Sequence, residues 1–66
     1  MTALQQQHLD RLIAAGQRIK ARMNKLPEGH PQIKNFERNL DKYERMLEQH
    51  VGSDAIAVFR AALEEV

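Results

Sequence analysis

Three histidines have the clearest chemical potential in this 66-residue chain. If the chain folds as a helical hairpin, His8 and His50 come together at its open end, with Glu48 and Asp54 within reach. Two imidazoles and a carboxylate are suitable ligands for Zn²⁺. No local ligand spacing such as H-E-x-x-H is present, so we expect no metal and no cofactor. Instead, His50 is expected to close the helix–helix seam and His8 to face solvent.

Residues for covalent or acid–base catalysis form no recognisable constellation. The chain has no cysteine, and its only serine, Ser53, lacks the G-x-S-x-G setting of a nucleophile. The carboxylates fall at outward positions of the predicted helices. A chain this short is also expected to form no concave pocket of about 300 Å³ or more. We therefore predict that the protein is not an enzyme.

Basic residues line one side of the first predicted helix. They are Arg11, Arg18, Arg22 and Lys25. Such a stripe is able to follow the phosphates of a nucleic acid. However, no aromatic residue is interleaved with it along the helix, and no helix-turn-helix motif is present. A solvated helix face is the simpler interpretation, and a nucleic-acid-binding regulator is kept as the alternative.

Charge is distributed unevenly along the chain, although the net charge is only +1. Residues 17–45 contain eight basic and four acidic side chains, whereas residues 46–66 contain one basic and four acidic side chains. The total is too small to indicate nucleic acid by itself. In a hairpin, this distribution predicts a basic turn end and an acidic open end.

Two apolar series at heptad spacing determine the predicted fold, and they lie on either side of a proline-bearing turn at 26–31. The first comprises Leu9, Leu12, Gly16, Ile19, Met23 and Leu26, and the second Ile33, Phe36, Leu40, Tyr43, Leu47 and His50. Spacings of three and four are typical of the a and d positions of a coiled coil. One antiparallel register pairs all twelve residues, and it sets Tyr43 opposite Gly16. We therefore expect Gly16, which costs about 1 kcal/mol inside a helix, to accommodate the Tyr43 ring.

Local signals set the predicted helix bounds. The first helix is expected over about 3–25, with Thr2 and Gln5 forming a capping box at its start. The second is expected over about 31–51, with Pro31 at its first position. The third is expected over about 54–65, after Gly52 ends the second helix and Ser53 caps the third.

The third predicted helix is too short to be stable alone, so it must pack on the hairpin. We expect it at the open end, where Ile13 and Val51 flank the seam. Two ion pairs are also expected: Asp41 with Arg45 along the second helix, and Lys20 with Glu37 across the hairpin. The fold class is therefore all-α, a helical hairpin with a short third helix on its open end, in a single domain over 1–66.

A small protein–protein interaction module is the function that these features favour. A domain of this size buries only about 60% of its unfolded surface, so a second layer supplied by a partner would stabilise it. We expect an adaptor, inhibitor or assembly chaperone that acts through its helix faces as a homodimer. The predicted partner-binding residues are Leu4, Met46, Phe59 and Leu63. We expect a cytoplasmic location without membrane contact, because no cysteine, apolar span or signal peptide is evident.

Overall fold

Three α-helices, α1 (Ala3–Lys25), α2 (Pro31–His50) and α3 (Ser53–Glu64), make up the computed structural model, which describes all 66 residues. α1 and α2 form the predicted antiparallel hairpin, and α3 packs against both. The all-α fold class is confirmed. No helix combines the length and the apolar character needed to cross a membrane.

The capping box at the start of α1 is confirmed. The Gln5 backbone N–H donates to Thr2 Oγ1 at 3.1 Å, and the Thr2 N–H donates to Gln5 Oε1 at 2.9 Å. Gln5 also donates through Nε2 to the backbone oxygen of His50 at 3.3 Å. The first turn of α1 is thereby attached to the end of α2. At its other end, α1 stops at Leu26, whose extended backbone is the conformation favoured before a proline.

A histidine caps α2, which the sequence analysis did not predict. His30 has extended backbone angles, and its ring Nδ1 accepts a hydrogen bond from the Gln32 N–H at 3.1 Å. Pro31 occupies the first helical turn as predicted, where its missing N–H would lack a partner in any case. The histidine ring therefore acts as the N-cap of α2, a role that Ser, Asp or Asn usually has.

A glycine joins α2 to α3. The Gly52 N–H donates to the Leu47 oxygen at 2.8 Å, and Gly52 adopts φ 138° and ψ 168°. Residues with a Cβ atom rarely adopt this conformation. The prediction that Ser53 caps α3 is wrong: Ser53 is the first residue of α3, and no side chain makes a capping hydrogen bond there. The sharp reversal at Gly52 starts the helix one residue earlier than predicted.

The hydrophobic core lies at the open end of the hairpin. Its buried apolar residues come from all three helices: Leu9, Leu12, Leu47, Ala55 and Phe59. Ile13 and Val51, the expected landing site of α3, are partly buried and pack against this cluster. α3 begins at the open end, as predicted, and then runs along α1 toward the turn.

The reason proposed for Gly16 is wrong. A Cβ atom at Gly16 would lie 2.8 Å from Cε2 and Cζ of Phe59 and 3.0 Å from Cδ2 of Leu63. Both residues belong to α3, and Tyr43 is not among the nearest neighbours. The glycine therefore permits close approach of α3, whereas Tyr43 lies on the other side of the seam beside Ala15 and Ile19.

Polar contacts hold α3 along the hairpin. Gln17 Nε2 donates to the Ala62 oxygen at 3.0 Å, and Asn24 Nδ2 donates to the Val66 oxygen at 3.2 Å. Arg60 Nε donates to Glu44 Oε1 at 2.6 Å, and this hydrogen bond and the carboxylate charge raise the pKa of Arg60 above its ordinary value.

This contact between α3 and α2 is the only salt bridge in the structure. The two ion pairs predicted from the sequence, Asp41 with Arg45 and Lys20 with Glu37, are therefore not formed. Exposed pairs of this kind have little to gain from holding two long side chains together.

Candidate functional site

The four residues predicted to bind a partner lie in different environments. Leu4 is 75% exposed, whereas Phe59 is 0% exposed and belongs to the core. Met46 and Leu63 are half-buried and pack against that core. Phe59 is therefore unavailable to a partner, and its assignment as an anchor is corrected. Its periodicity marks an apolar helix face, but α3 turns this face toward Gly16.

A second apolar surface lies near the turn, where the sequence analysis assigned only seam packing. We call it the turn-end cluster: Ile19, Met23, Leu26, Ile33 and Phe36. Each of these side chains is half-buried, and none packs against the buried core. α3 is only twelve residues long, so the end of the chain contacts α1 no nearer to the turn than Asn24, through Val66. No third helix covers the last turns of the hairpin. Two helices cannot enclose their own seam.

The two histidines of the open end meet as predicted. Their ring centroids are 5.3 Å apart in an edge-to-face arrangement. Their roles are the reverse of those expected: His50 is exposed, whereas His8 is half-buried and its Nε2 is inaccessible and lacks a hydrogen-bond partner. No third histidine, cysteine, aspartate or glutamate completes a metal-binding cluster. The carboxylates of Glu48 and Asp54 therefore do not join this pair.

A cavity of about 320 Å³ lies beside the histidine pair. Its lining comprises Leu4, Gln5, Gln7, His8, Arg11 and His50. No acidic residue contributes to it. The exposed Leu4 side chain provides an apolar contact, and Arg11 provides a permanent positive charge. This combination suits an anionic group attached to an apolar body.

A further cavity of about 200 Å³ continues along the same side of α1. Ala15, Arg18, Ile19, Arg22 and Tyr43 line it. Two residues of the predicted basic stripe are thus brought beside an aromatic ring from α2. The absence of an aromatic residue along α1, which counted against nucleic acid in the sequence analysis, is offset by Tyr43. Lys25, the fourth stripe residue, is exposed and lines neither cavity.

The expectation that the chain forms no concavity of about 300 Å³ is wrong. Besides the cavity at the histidine pair, a recess of about 480 Å³ lies at the turn, between Gly29, His30, Pro31, Ile33, Lys34 and Glu37. The lining of this recess comes from the turn and the first two turns of α2 alone. All of these cavities are open surface grooves, and none gathers a nucleophile with a base.

Four carboxylates of α2 and three arginines of α1 lie on opposite faces of the hairpin. The four carboxylates of α2 are Glu37, Asp41, Glu44 and Glu48. Their spacings of four, three and four place them on one stripe, and the hydrogen bond from Arg60 to Glu44 shows that this stripe faces α3. On α1, Arg11, Arg18 and Arg22 lie roughly 120° to 160° around the helix axis from Gly16, which contacts α3. The hairpin face opposite α3 is therefore basic.

The separation of charge by face was missed in the sequence analysis, which found only a separation between the two ends. The spacing of the carboxylates on α2 was a usable signal for a stripe. The angle between this stripe and the seam of α2 fixes the side of the hairpin on which the carboxylates lie. The sequence gives no direct sign that α3 packs on that side.

Comparison with known proteins supplies no family for this chain. No protein-family model matches it, and no curated protein or solved structure is significantly similar to it.

Proposed function

We propose that the protein is a small non-enzymatic protein–protein interaction module that acts through its helix faces as a homodimer. An adaptor, an inhibitor and an assembly chaperone all fit this description, and the cytoplasm is the proposed location. The observation that carries the proposal is the turn-end cluster, five large apolar side chains outside the core. Each of these side chains is only half-buried within the monomer, and apolar clusters that a small domain does not enclose are typical of protein interfaces.

The amount of exposed surface supports the proposal. The chain exposes 4892 Å², whereas a globular monomer of 7.6 kDa is expected to expose about 4,300 Å². The excess arises from the elongated shape, 39 by 19 by 15 Å. The difference of about 600 Å² is somewhat smaller than the roughly 800 Å² that each partner buries in a standard interface.

Light scattering across a dilution series tests the homodimer. We expect the wild-type chain to be dimeric, and Phe36→Ser to be monomeric, because this substitution places a hydroxyl in the turn-end cluster. Val58→Ser is the matched control, since Val58 is 49% exposed on α3 and lies outside the cluster. A wild-type chain that is monomeric at all concentrations, or a Phe36→Ser chain that is still dimeric, would contradict the proposal.

A second candidate function is a nucleic-acid-binding regulator that uses Arg11, Arg18, Arg22 and Lys25. The observation that favours it is the cavity in which Arg18 and Arg22 lie beside Tyr43 with no carboxylate present. Titration with duplex DNA and with RNA at low salt tests it. Affinity that falls steeply with salt and falls again in Arg18→Glu would support this function, and no binding at about 50 mM salt would exclude it.

A further inference from the structure

The hairpin has two long grooves between α1 and α2, and only one of them is filled. α3 occupies the front groove, where Gly16 allows the Phe59 ring to approach the α1 backbone. We call the other one the rear groove: it contains the cavity beside the histidine pair and the cavity beside Tyr43. The two cavities lie along α1, and each is bounded on the other side by one residue of α2, His50 or Tyr43. A further helix is able to pack along this side of the hairpin as α3 does along the front.

The rear groove combines an apolar floor with a basic rim. Leu4, Ala15 and Ile19 provide apolar surface in its two cavities. The rim follows Arg11, Arg18 and Arg22, which lie over about 16 Å of α1 at the ordinary helical rise. No carboxylate lines either cavity, because the acidic stripe of α2 faces α3. A ligand in this groove therefore meets positive charge that no side chain of the groove neutralises.

We propose that the rear groove binds an amphipathic helix of a partner protein that carries carboxylates beside its apolar face. This inference rests on the proposed function of a protein-binding module and names the chemistry of its partner. Glutamate or aspartate at spacings of seven and four along such a helix would match the spacing of Arg11, Arg18 and Arg22. Ala15 is small enough to let the two backbones approach, as Gly16 does for α3 in the front groove.

A second copy of the chain is a poor occupant of the rear groove. Two-fold pairing through this face would bring the arginines of the two copies together, which is unfavourable in a desolvated interface. α3 is the helix with surplus acidic residues, but its apolar face is already used by the core through Ala55 and Phe59. The homodimer proposed above instead uses the turn-end cluster, which shares Ile19 with the rear groove but none of its arginines, so the two surfaces have different partners.

Nucleic acid is the competing occupant. Phosphates would pair with the same arginines, and three aromatic rings line the groove: Tyr43 in one cavity and His8 and His50 in the other. The two histidine rings pack edge-to-face on each other, so the groove does not present a row of free ring faces. Proteins that bind single strands usually stack successive bases on several aromatic side chains. The apolar surface of Leu4 and Ile19 is complementary to apolar side chains of a helix and contributes little to phosphate binding. Charge and apolar surface together therefore favour an acidic helix.

Binding of two synthetic helical peptides tests the inference. Both carry the same leucine face, and one has glutamate where the other has lysine at three flanking positions spaced by seven and four. Measured by fluorescence anisotropy at about 50 mM salt, the acidic peptide should bind at least about tenfold more tightly than the basic one. Equal binding of the two peptides, or no binding of either, would overturn the inference.

Charge reversal in the protein locates the binding site. The double variant Arg18→Glu with Arg22→Glu should weaken acidic-peptide binding by at least about tenfold and should strengthen binding of the basic peptide. The matched control is Lys34→Glu with Arg38→Glu, which makes the same charge change at exposed positions of α2 outside both rear-groove cavities. Circular dichroism shows whether each variant is folded. Equal losses in the two double variants would indicate a general charge effect and would overturn the inference.

Filling the groove provides a test without a change of charge. Ala15→Leu places a larger side chain in the rear groove. We expect it to weaken binding of the acidic peptide and to leave dimerisation unchanged.

Competition with an unlabelled RNA or DNA oligonucleotide tests the other occupant. If the oligonucleotide displaces the labelled peptide at a lower concentration than unlabelled peptide does, the groove would be reassigned to nucleic acid. Light scattering is read separately. A dimer that binds no peptide contradicts only the rear-groove inference, and a monomer that binds the peptide contradicts only the homodimer.

Discussion

Gly16 lacks a side chain because Phe59 of α3 packs against it, and not because of Tyr43, the neighbour that the heptad spacing indicated. Heptad spacing puts Gly16 and Tyr43 at the same level of the seam, but the two residues incline to different sides of it. The Phe59 ring of α3 occupies the space that a side chain at Gly16 would need. Phe59 is fully buried, so the ring has little freedom to move away. The glycine therefore sets the distance between α1 and α3.

Replacing Gly16 by alanine should destabilise the protein despite the better helix propensity of alanine. Overpacking against Phe59 is expected to cost about 1 to 3 kcal/mol, and the propensity gain returns about 1 kcal/mol. Urea unfolding of Gly16→Ala should therefore show a net loss of up to about 2 kcal/mol. In a Phe59→Leu background, where the ring is absent, the same substitution should be neutral or stabilising. Stabilisation by the same amount in both backgrounds would show that Phe59 does not restrict this position.

At the scale of the elements, the junctions between helices depend on a few backbone positions. Gly29 in the first turn has φ 81°, and Gly52 between α2 and α3 has φ 138°. A Cβ atom at either position would meet no other atom within 4 Å, so packing does not require glycine at these places. The backbone conformation requires glycine at both positions, and the conformation of Gly52 is nearly exclusive to glycine.

Alanine at the two junction glycines should therefore have unequal effects. Gly52→Ala is expected to cost about 1 to 3 kcal/mol, because the backbone must either hold a strained conformation or shift α3. Gly29→Ala should cost about 1 to 2 kcal/mol, the usual penalty for a left-handed residue with a Cβ atom. Thermal unfolding of both variants in the same buffer measures the difference. A Gly29→Ala chain that is less stable than Gly52→Ala would contradict the importance assigned to the junction between α2 and α3.

At the scale of the whole molecule, the buried core and the half-buried turn-end cluster lie at different ends. α3 closes the open end and contributes two of the five apolar core residues, Ala55 and Phe59. It is too short to close the turn end as well. Only 6 of 66 residues are buried, so the free energy of unfolding depends strongly on each of them. A chain of this length is expected to have about 3 to 10 kcal/mol in total.

Truncating the two phenylalanines should separate folding from association. Phe59→Ala removes a fully buried ring and should cost about 3 to 5 kcal/mol, enough to unfold much of the chain at 25 °C. Phe36→Ala removes a half-buried ring outside the core, so its effect on the free energy of unfolding of the monomer should be smaller. Far-UV circular dichroism reports folding, and light scattering reports association. If Phe36→Ala unfolds the chain as fully as Phe59→Ala, the turn-end cluster is part of the folding core rather than a surface for a partner.

The sequence alone determined the features that depend on neighbours along the chain. Apolar spacing specified the helices, and Pro31 and the Thr2–Gln5 capping box specified helix ends, because these features involve contacts within one or two helical turns. The hairpin followed from two matched heptad series joined by a short turn. The meeting of His8 with His50 was also predictable, because one antiparallel register follows from two matched series.

Only the tertiary structure decided which of the two grooves α3 fills. Both faces of the hairpin present small residues, Ala15 at the rear and Gly16 at the front, so periodicity favours neither. Packing in the front groove buried Phe59, placed α3 beside the carboxylates of α2, and left Arg11, Arg18 and Arg22 around the rear groove. Burial and charge at these residues result from contacts between helices distant in sequence, and the spacing of residues within each helix does not encode those contacts directly.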